Sequence, residues 1–158
     1  MSTVTVTQLI SADIETVWSQ IADVTLVENW HPGVARADLL SDSPTGLGAT
    51  RRCNFYNGTD VVEEIVDLKE HEFLMEIRDF NGPMKRFESH WSLNSTPAGA
   101  TQITIKMDYD MKLSILGTAL DALLIKGRMS KLLKRVLAGL EHHIVSGETV
   151  GKDFAVAA

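Results

Sequence analysis

An arginine and two glutamates on neighbouring strand-like segments carry most of the chemistry this chain offers. Arg51 alternates with Cys53 and Phe55 in the segment from Ala49 to Tyr56, so it shares that segment's more apolar face. A guanidinium on an inward face requires an acceptor, because an unpaired buried charge costs far more than a paired one. Glu63 and Glu64 lie within reach across the Asn57-Gly58 turn. A strict two-residue hairpin sets Arg51 opposite Glu64, whereas one additional loop residue brings Glu63 onto the Arg51 face. Paired with Arg51, Glu63 would be a general base or acid, and the guanidinium would stabilise an anion as it develops. An apolar surrounding raises the carboxyl pKa and the arginine lowers it, and the balance sets the role. The competing reading is an ion pair that only closes two strands, or two solvated side chains on the outer face.

The remaining reactive residues give weaker signals. His31, between Trp30 and Pro32, is placed for a cavity mouth, as an acid or a gate, or simply for a turn contact. His90 falls on the outer face of its segment, and His142-His143 cannot share one helical face for chelation. No HExxH or CxxC spacing is present, so neither a metal nor another cofactor is expected. Glycine-rich nucleotide loops and a Ser-His-Asp nucleophile elbow are likewise missing from the pattern.

The elements that must position these residues read as a sheet followed by a helix. Thr3 to Ile10 alternates as a first strand, and Ser11 and Asp13 offer cap chemistry ahead of a short helix from Ile14 to Ile21. A second turn carries Val27, Trp30 and His31 before Pro32. Further strands are expected near Ala35 to Leu40, Ala49 to Tyr56, Asp60 to Leu68, Glu72 to Asp79, Lys85 to Leu93 and Thr101 to Met111. Gly-, Pro- and Asn-containing turns separate them, and such short connections force antiparallel neighbours. Alternation gives an inner face of Phe73, Met75 and Ile77, then Phe87, Ser89, Trp91 and Leu93, then Ile103, Ile105, Met107, Tyr109 and Met111. One long amphipathic helix follows from Ser114 to Ser146, interrupted by Gly117, Gly127 and Gly139, each expected to have a packing reason. Residues 147–158 show no periodicity and read as a flexible tail after a single domain, 1–146.

Composition narrows the function classes. A chain of 158 residues with 44% hydrophobic content supports one core. A formal charge of -6 argues against generic nucleic-acid binding. The basic cluster Lys126, Arg128, Lys131, Lys134 and Arg135 reads as a solvated helix face, or as a contact for anionic head groups. Cys53 is the only cysteine, so no intrachain disulfide forms, and the cytoplasm is favoured. No uninterrupted apolar run is long enough for stable membrane insertion. Edge strands leave a homodimer open.

The order of these segments resembles the START-like or SRPBCC superfamily, most closely its polyketide cyclase/dehydrase-like branch. The resemblance rests on Val17-Trp18, Trp30-His31-Pro32-Gly33, Gly48-Ala49-Thr50-Arg51-Arg52-Cys53, Glu63-Glu64-Ile65, Gly82-Pro83 with Phe87, Gly99-Ala100-Thr101 and Leu116-Gly117. It covers about residues 3–145. It implies an α+β helix-grip fold, in which a curved seven-stranded antiparallel sheet with two short helices after its first strand wraps a long C-terminal helix. It also implies a cavity for a small hydrophobic ligand, lipid-, aromatic- or polyketide-like, lined here by Trp30, His31, Phe55, Met75, Phe87, Ser89, Trp91, Met107, Tyr109, Leu120 and Leu124. In plant relatives of the branch, an arginine and a glutamate on adjacent strands face the pocket and handle protons, and Arg51 and Glu63 match that spacing. The resemblance leaves three activities open: simple binding, a cyclase or dehydratase reaction, and lipid or quinone carriage.

Overall fold

The computed structural model describes residues 1–82, 84–111 and 119–156, with side chains in the last helix described from Ala122 onward. Strand β1 (Ser2–Ile10) leads into α1 (Ile14–Ala22), a 3-10 turn (Val24–Leu26) and α2 (Val27–Trp30). Strands β2 (Val34–Leu39), β3 (Thr50–Phe55), β4 (Asp60–Lys69), β5 (Glu72–Arg78), β6 (Met84–Ser95) and β7 (Thr101–Met111) follow, and α3 (Ala119–Ser146) closes the order. The seven strands form one antiparallel sheet in the order β1-β7-β6-β5-β4-β3-β2. This is the helix-grip arrangement of the START-like fold. Consecutive antiparallel strands from β2 to β7 are neighbours, joined by short connections except for the ten residues 40–49 between β2 and β3, and β1 completes the order by pairing with β7.

Local chemistry accounts for the boundaries. Asp13 caps α1 by accepting the Thr16 amide at 2.9 Å, and Asp23 accepts the Thr25 amide at the start of the 3-10 turn. Chain breaking by Pro32 ends α2 at Trp30. The inner face is the one expected from alternation. Phe73, Met75, Ile77, Trp91, Leu93, Ile103, Ile105 and Tyr109 are all buried, and Val136, Leu137 and Leu140 of α3 pack over them with Ile10, Val17 and Val27.

The long helix differs from its sequence pattern in its first half. The expected start at Ser114 lies outside the described residues, as do Leu116, Gly117 and the Leu120 side chain. Leu123, Leu124 and Leu132 fit the apolar period, yet they are 67%, 53% and 46% exposed. The core side of α3 therefore begins near Met129 and runs through Leu133 to Leu140. Gly139 has the packing role expected of it. A Cβ there would stand 2.4 Å from the Trp30 carbonyl oxygen and 3.0 Å from Pro32, so only glycine lets α3 meet α2. Gly127 has none, since nothing lies within 4 Å of an added Cβ.

The segment expected to be a flexible tail makes contacts with the body as far as Phe154. Val150 is buried and donates its amide to the Asn29 carbonyl at 2.8 Å. Arg135 donates to the carbonyls of Lys152 and Phe154, and the His142 ring meets Phe154. These are backbone carbonyl contacts and one small apolar anchor, which leave no periodic trace in a sequence.

Candidate functional site

The β3-β4 hairpin decides which glutamate meets Arg51. The Phe55 amide donates to the Thr59 carbonyl, leaving Tyr56, Asn57 and Gly58 as a three-residue loop. Gly58 takes φ +85, the left-handed conformation such a loop places on glycine. Arg51 is consequently opposite Glu63, Cys53 is opposite Val61, and Glu64 turns outward to an ion pair with Arg78.

Arg51 is 4% exposed, and its guanidinium is fully engaged. Nε donates to Glu63 Oε2 at 2.6 Å, Nη2 approaches the same oxygen at 2.6 Å, and Nη1 donates to the Val24 carbonyl at 2.9 Å. Nη2 also meets the Met75 sulfur at 3.9 Å. Burial works against the charge on Arg51, but the Glu63 carboxylate more than offsets it and holds the guanidinium protonated. Burial alone would likewise raise the Glu63 pKa. Arg51 and the Cys53 thiol, which donates to Glu63 Oε2 at 3.3 Å, hold it below the usual carboxylate value. Burial and the neighbouring carboxylate push the Cys53 thiol upward, so it stays protonated. Glu63 is therefore an anion at neutral pH. Its Oε2 is saturated, and Oε1 has no protein partner among the described residues.

Glu63 lines a cavity of ≈ 500 Å³ between the β3-β4 hairpin, β5 to β7, the turn after α2 and the middle of α3. Most of its lining is apolar: Phe55, Val61, Ile77, Met84, Phe87, Met107, Met129 and Leu132. That volume falls in the range typical of small-molecule sites, roughly 300–1,000 Å³. His31, Arg135 and Lys152 also line it, with Tyr56, Asn57 and Thr59 as further polar residues.

His31 is positioned by the end of α2. Its amide closes that helix on the Val27 carbonyl, its Nδ1 accepts the Gly33 amide at 3.0 Å, and its ring rests edgewise on Phe55 and tilted beside Trp30. Gly33 suits this arrangement, because a Cβ there would come within 3.2 Å of His31 Cε1. Burial drives the imidazole pKa down to about 4, against the pull of Glu63 and with the repulsion of Arg51. The ring is neutral at pH 7. With Nδ1 accepting, Nε2 carries the proton.

Of the residues expected to line the cavity, His31, Phe55, Phe87 and Met107 do so, together with Glu63. Trp30, Met75, Ser89, Trp91 and Tyr109 are instead buried in the core. Trp30 meets Trp91 edge-on, Trp91 stacks on Phe73, and Trp91 Nε1 donates to Ser89, so large rings fill that end of the grip. Leu124 is exposed and does not line the cavity, and Leu120 lies outside the described side chains. Arg51 also corrects an expectation. It is sealed behind Glu63 and does not line the cavity, because its donors are taken up by Glu63, Val24 and Met75.

Sequence reading missed Val61, Met84, Met129, Leu132, Arg135 and Lys152 at this cavity. Val61 was accessible in principle, since it shares Glu63's parity on β4. Arg135 and Lys152 had no local signal, because their meeting depends on the fold of residues 147–156 over α3. Among the described residues, no group of three or more His, Cys, Asp or Glu could hold a metal ion, and no helix is long and apolar enough to cross a membrane.

A family model described as polyketide cyclase / dehydrase and lipid transport matches residues 1–145. The chain belongs to that family. The polyketide cyclase / dehydrase and lipid transport assignment agrees with the resemblance read from the residues, and it supports a ligand-binding or cyclase-like SRPBCC domain. No curated protein matches the chain significantly. Solved structures share its fold. A START superfamily protein from Mycobacterium smegmatis is 17% identical, with a TM-score of 0.75 over 91% of this chain and 97% of that one. The XoxI protein from Bacillus cereus is 14% identical, with a TM-score of 0.75 over 92% and 96%. Major latex-like protein 151 from Panax ginseng is 16% identical, with a TM-score of 0.71 over 91% and 97%.

Proposed function

We propose that this protein encloses a small, largely apolar molecule bearing a hydroxyl or phenol group in the cavity between the β3-β4 hairpin and α3. The observation that carries the reading is that His31 and Glu63 both line a largely apolar cavity and lie close enough to act on each other electrostatically. A neutral imidazole N–H donates and the open carboxylate oxygen of Glu63 accepts, which is the complement of one hydroxyl group. A hydrogen bond to a charged acceptor contributes about 1.5–3 kcal/mol, enough to orient a ligand that apolar walls hold only by shape.

The test is fluorescence titration of the purified chain with 2-naphthol, beside native mass spectrometry for any molecule retained through purification. Val61→Phe, which fills the cavity, is expected to weaken naphthol binding at least ~10-fold. Naphthol bound equally well by this variant would sink the proposal, since the site would then lie elsewhere.

A second reading adds proton transfer. Glu63 is an ionised base held beside a neutral imidazole at pH 7, an arrangement that suits cyclase- or dehydratase-type enolisation of a bound carbonyl compound. His31, rather than Arg51, would stabilise the developing oxyanion, because the guanidinium is sealed from the cavity. Under this reading His31→Gln lowers kcat by about 10²-fold or more with KM little changed. Equal loss in KM alone would leave binding as the only role.

A further inference from the structure

The same cavity carries two cationic side chains that form no ion pair among the described residues. Arg135 lines it from α3 and Lys152 from the returning C-terminal segment. Neither has an acidic partner among the described residues, although the chain as a whole has a formal charge of -6. Arg135 is only partly exposed, and its hydrogen bonds are to neutral carbonyls: Nε to Phe154 at 3.2 Å, and Nη2 to Lys152 at 2.9 Å and Phe154 at 2.9 Å. Those bonds fix the guanidinium and leave Nη1 without a partner among the described residues. They also place the Lys152 backbone directly against Arg135. Arg135 lies near enough to His31 to affect its ring electrostatically, so both belong to one field. Glu63, the one carboxylate among the described lining residues, is largely buried and is neutralised by Arg51.

We infer that Arg135 and Lys152 form an anion site at the cavity mouth, which holds the acidic group of an amphipathic ligand whose apolar body lies along Phe55, Phe87 and Met107. This rests on the cavity being the binding site, as proposed above, and it narrows the ligand class to organic acids. The polarity also sets an orientation. An acid group gains from the two cations and finds no such partner at Glu63, whose charge Arg51 already balances, so it lies on the Arg135 and Lys152 side. A fixed guanidinium with a free N–H loses little freedom on meeting a carboxylate, and charge-assisted bonds of that kind are the strong ones.

The experiment is a fluorescence titration of the full chain with pyrenebutyrate and with pyrenebutanol, which share the aromatic body and differ in the terminal group. The intact protein is expected to bind the acid about tenfold more tightly than the alcohol. Lys152→Glu is expected to abolish that preference, weakening the acid far more than the alcohol, and to leave the fold intact, since Lys152 is exposed and makes no structural side-chain contact among the described residues. Arg135→Lys, which keeps the charge and loses the fork, should retain part of the preference. Equal affinity for the two probes in the unmodified chain, or a preference that survives Lys152→Glu, would overturn the anion site while leaving the cavity intact. Failure of both probes, with Val61→Phe also without effect on naphthol, would overturn the cavity reading itself and the anion site with it.

Discussion

Glu63 and Arg51 form a pair in which each partner makes the other tolerable. The carboxylate keeps a buried guanidinium from standing alone, and the guanidinium keeps the carboxyl ionised in an apolar wall. Removing only one should be far more damaging than removing both. Glu63→Gln is expected to destabilise the fold by about 3–5 kcal/mol, whereas the double replacement Arg51→Met with Glu63→Leu recovers most of that loss. Urea denaturation of the single and double variants checks this, and additive losses would refute the coupling. Titration follows the same logic. His31 binds its proton in the unfolded chain near 6.5 and in the folded chain only at about 4. Between those values the unfolded state binds more protons, so stability falls as pH drops from 6.5 towards 4. Allowing for the partial exposure of the ring, the loss is about 2 kcal/mol. Glu63, lowered from 4.5, contributes stability that is complete above that value and lost only at lower pH. His31→Gln should therefore flatten the upper limb of an acid-unfolding profile and leave the lower limb in place.

Two glycines of α3 show how the elements constrain one another. At Gly139 the helix passes so close to the Trp30 carbonyl that no side chain fits, and the obstacle is backbone. Gly139→Ala must push α3 away from α2, at about 1–3 kcal/mol or more. Gly127 faces open space, so Gly127→Ala replaces a poor helix former without a clash and should stabilise by about 0.5–1 kcal/mol. Thermal melts of the two variants should shift in opposite directions, and a shared direction would contradict the packing described. Both positions looked alike in the sequence. Helix periodicity reports which face a residue occupies, but whether another backbone lies against that face depends on α2, more than a hundred positions earlier.

For the molecule as a whole, residues 147–156 tie the end of α3 to α2 and complete the cavity lining. Val150 is 2% exposed, its amide bonds to Asn29, and Lys152 reaches the cavity. Truncation after Gly147 should cost about 2 kcal/mol, from one buried valine and the carbonyl partners of Arg135. It should also remove any preference for an acidic ligand. Urea denaturation measures the first effect and the paired pyrene titration the second; an unchanged midpoint would show the segment to be energetically idle.

The residues by themselves determined the strand faces and the antiparallel meander with its terminal helix, and they narrowed the partner of Arg51 to two glutamates, between which the observed three-residue loop decided. Those features follow from local rules: period-two alternation, short connections and a hairpin loop that carries one of two registers. Tertiary structure decided which inward side chains border empty space and which are core. Met75, Trp91 and Tyr109 share the inner face with Phe87 and Met107, but aromatic packing with Trp30 of α2 fills one end of the grip and leaves the other open. It also decided that Arg51 is sealed while Glu63 is not, and that Arg135 meets Lys152. Alternation fixes only the side of the sheet on which a residue lies. Depth, occupancy and the meeting of distant charges are set by how layers close on each other, and that depends on every side chain between them.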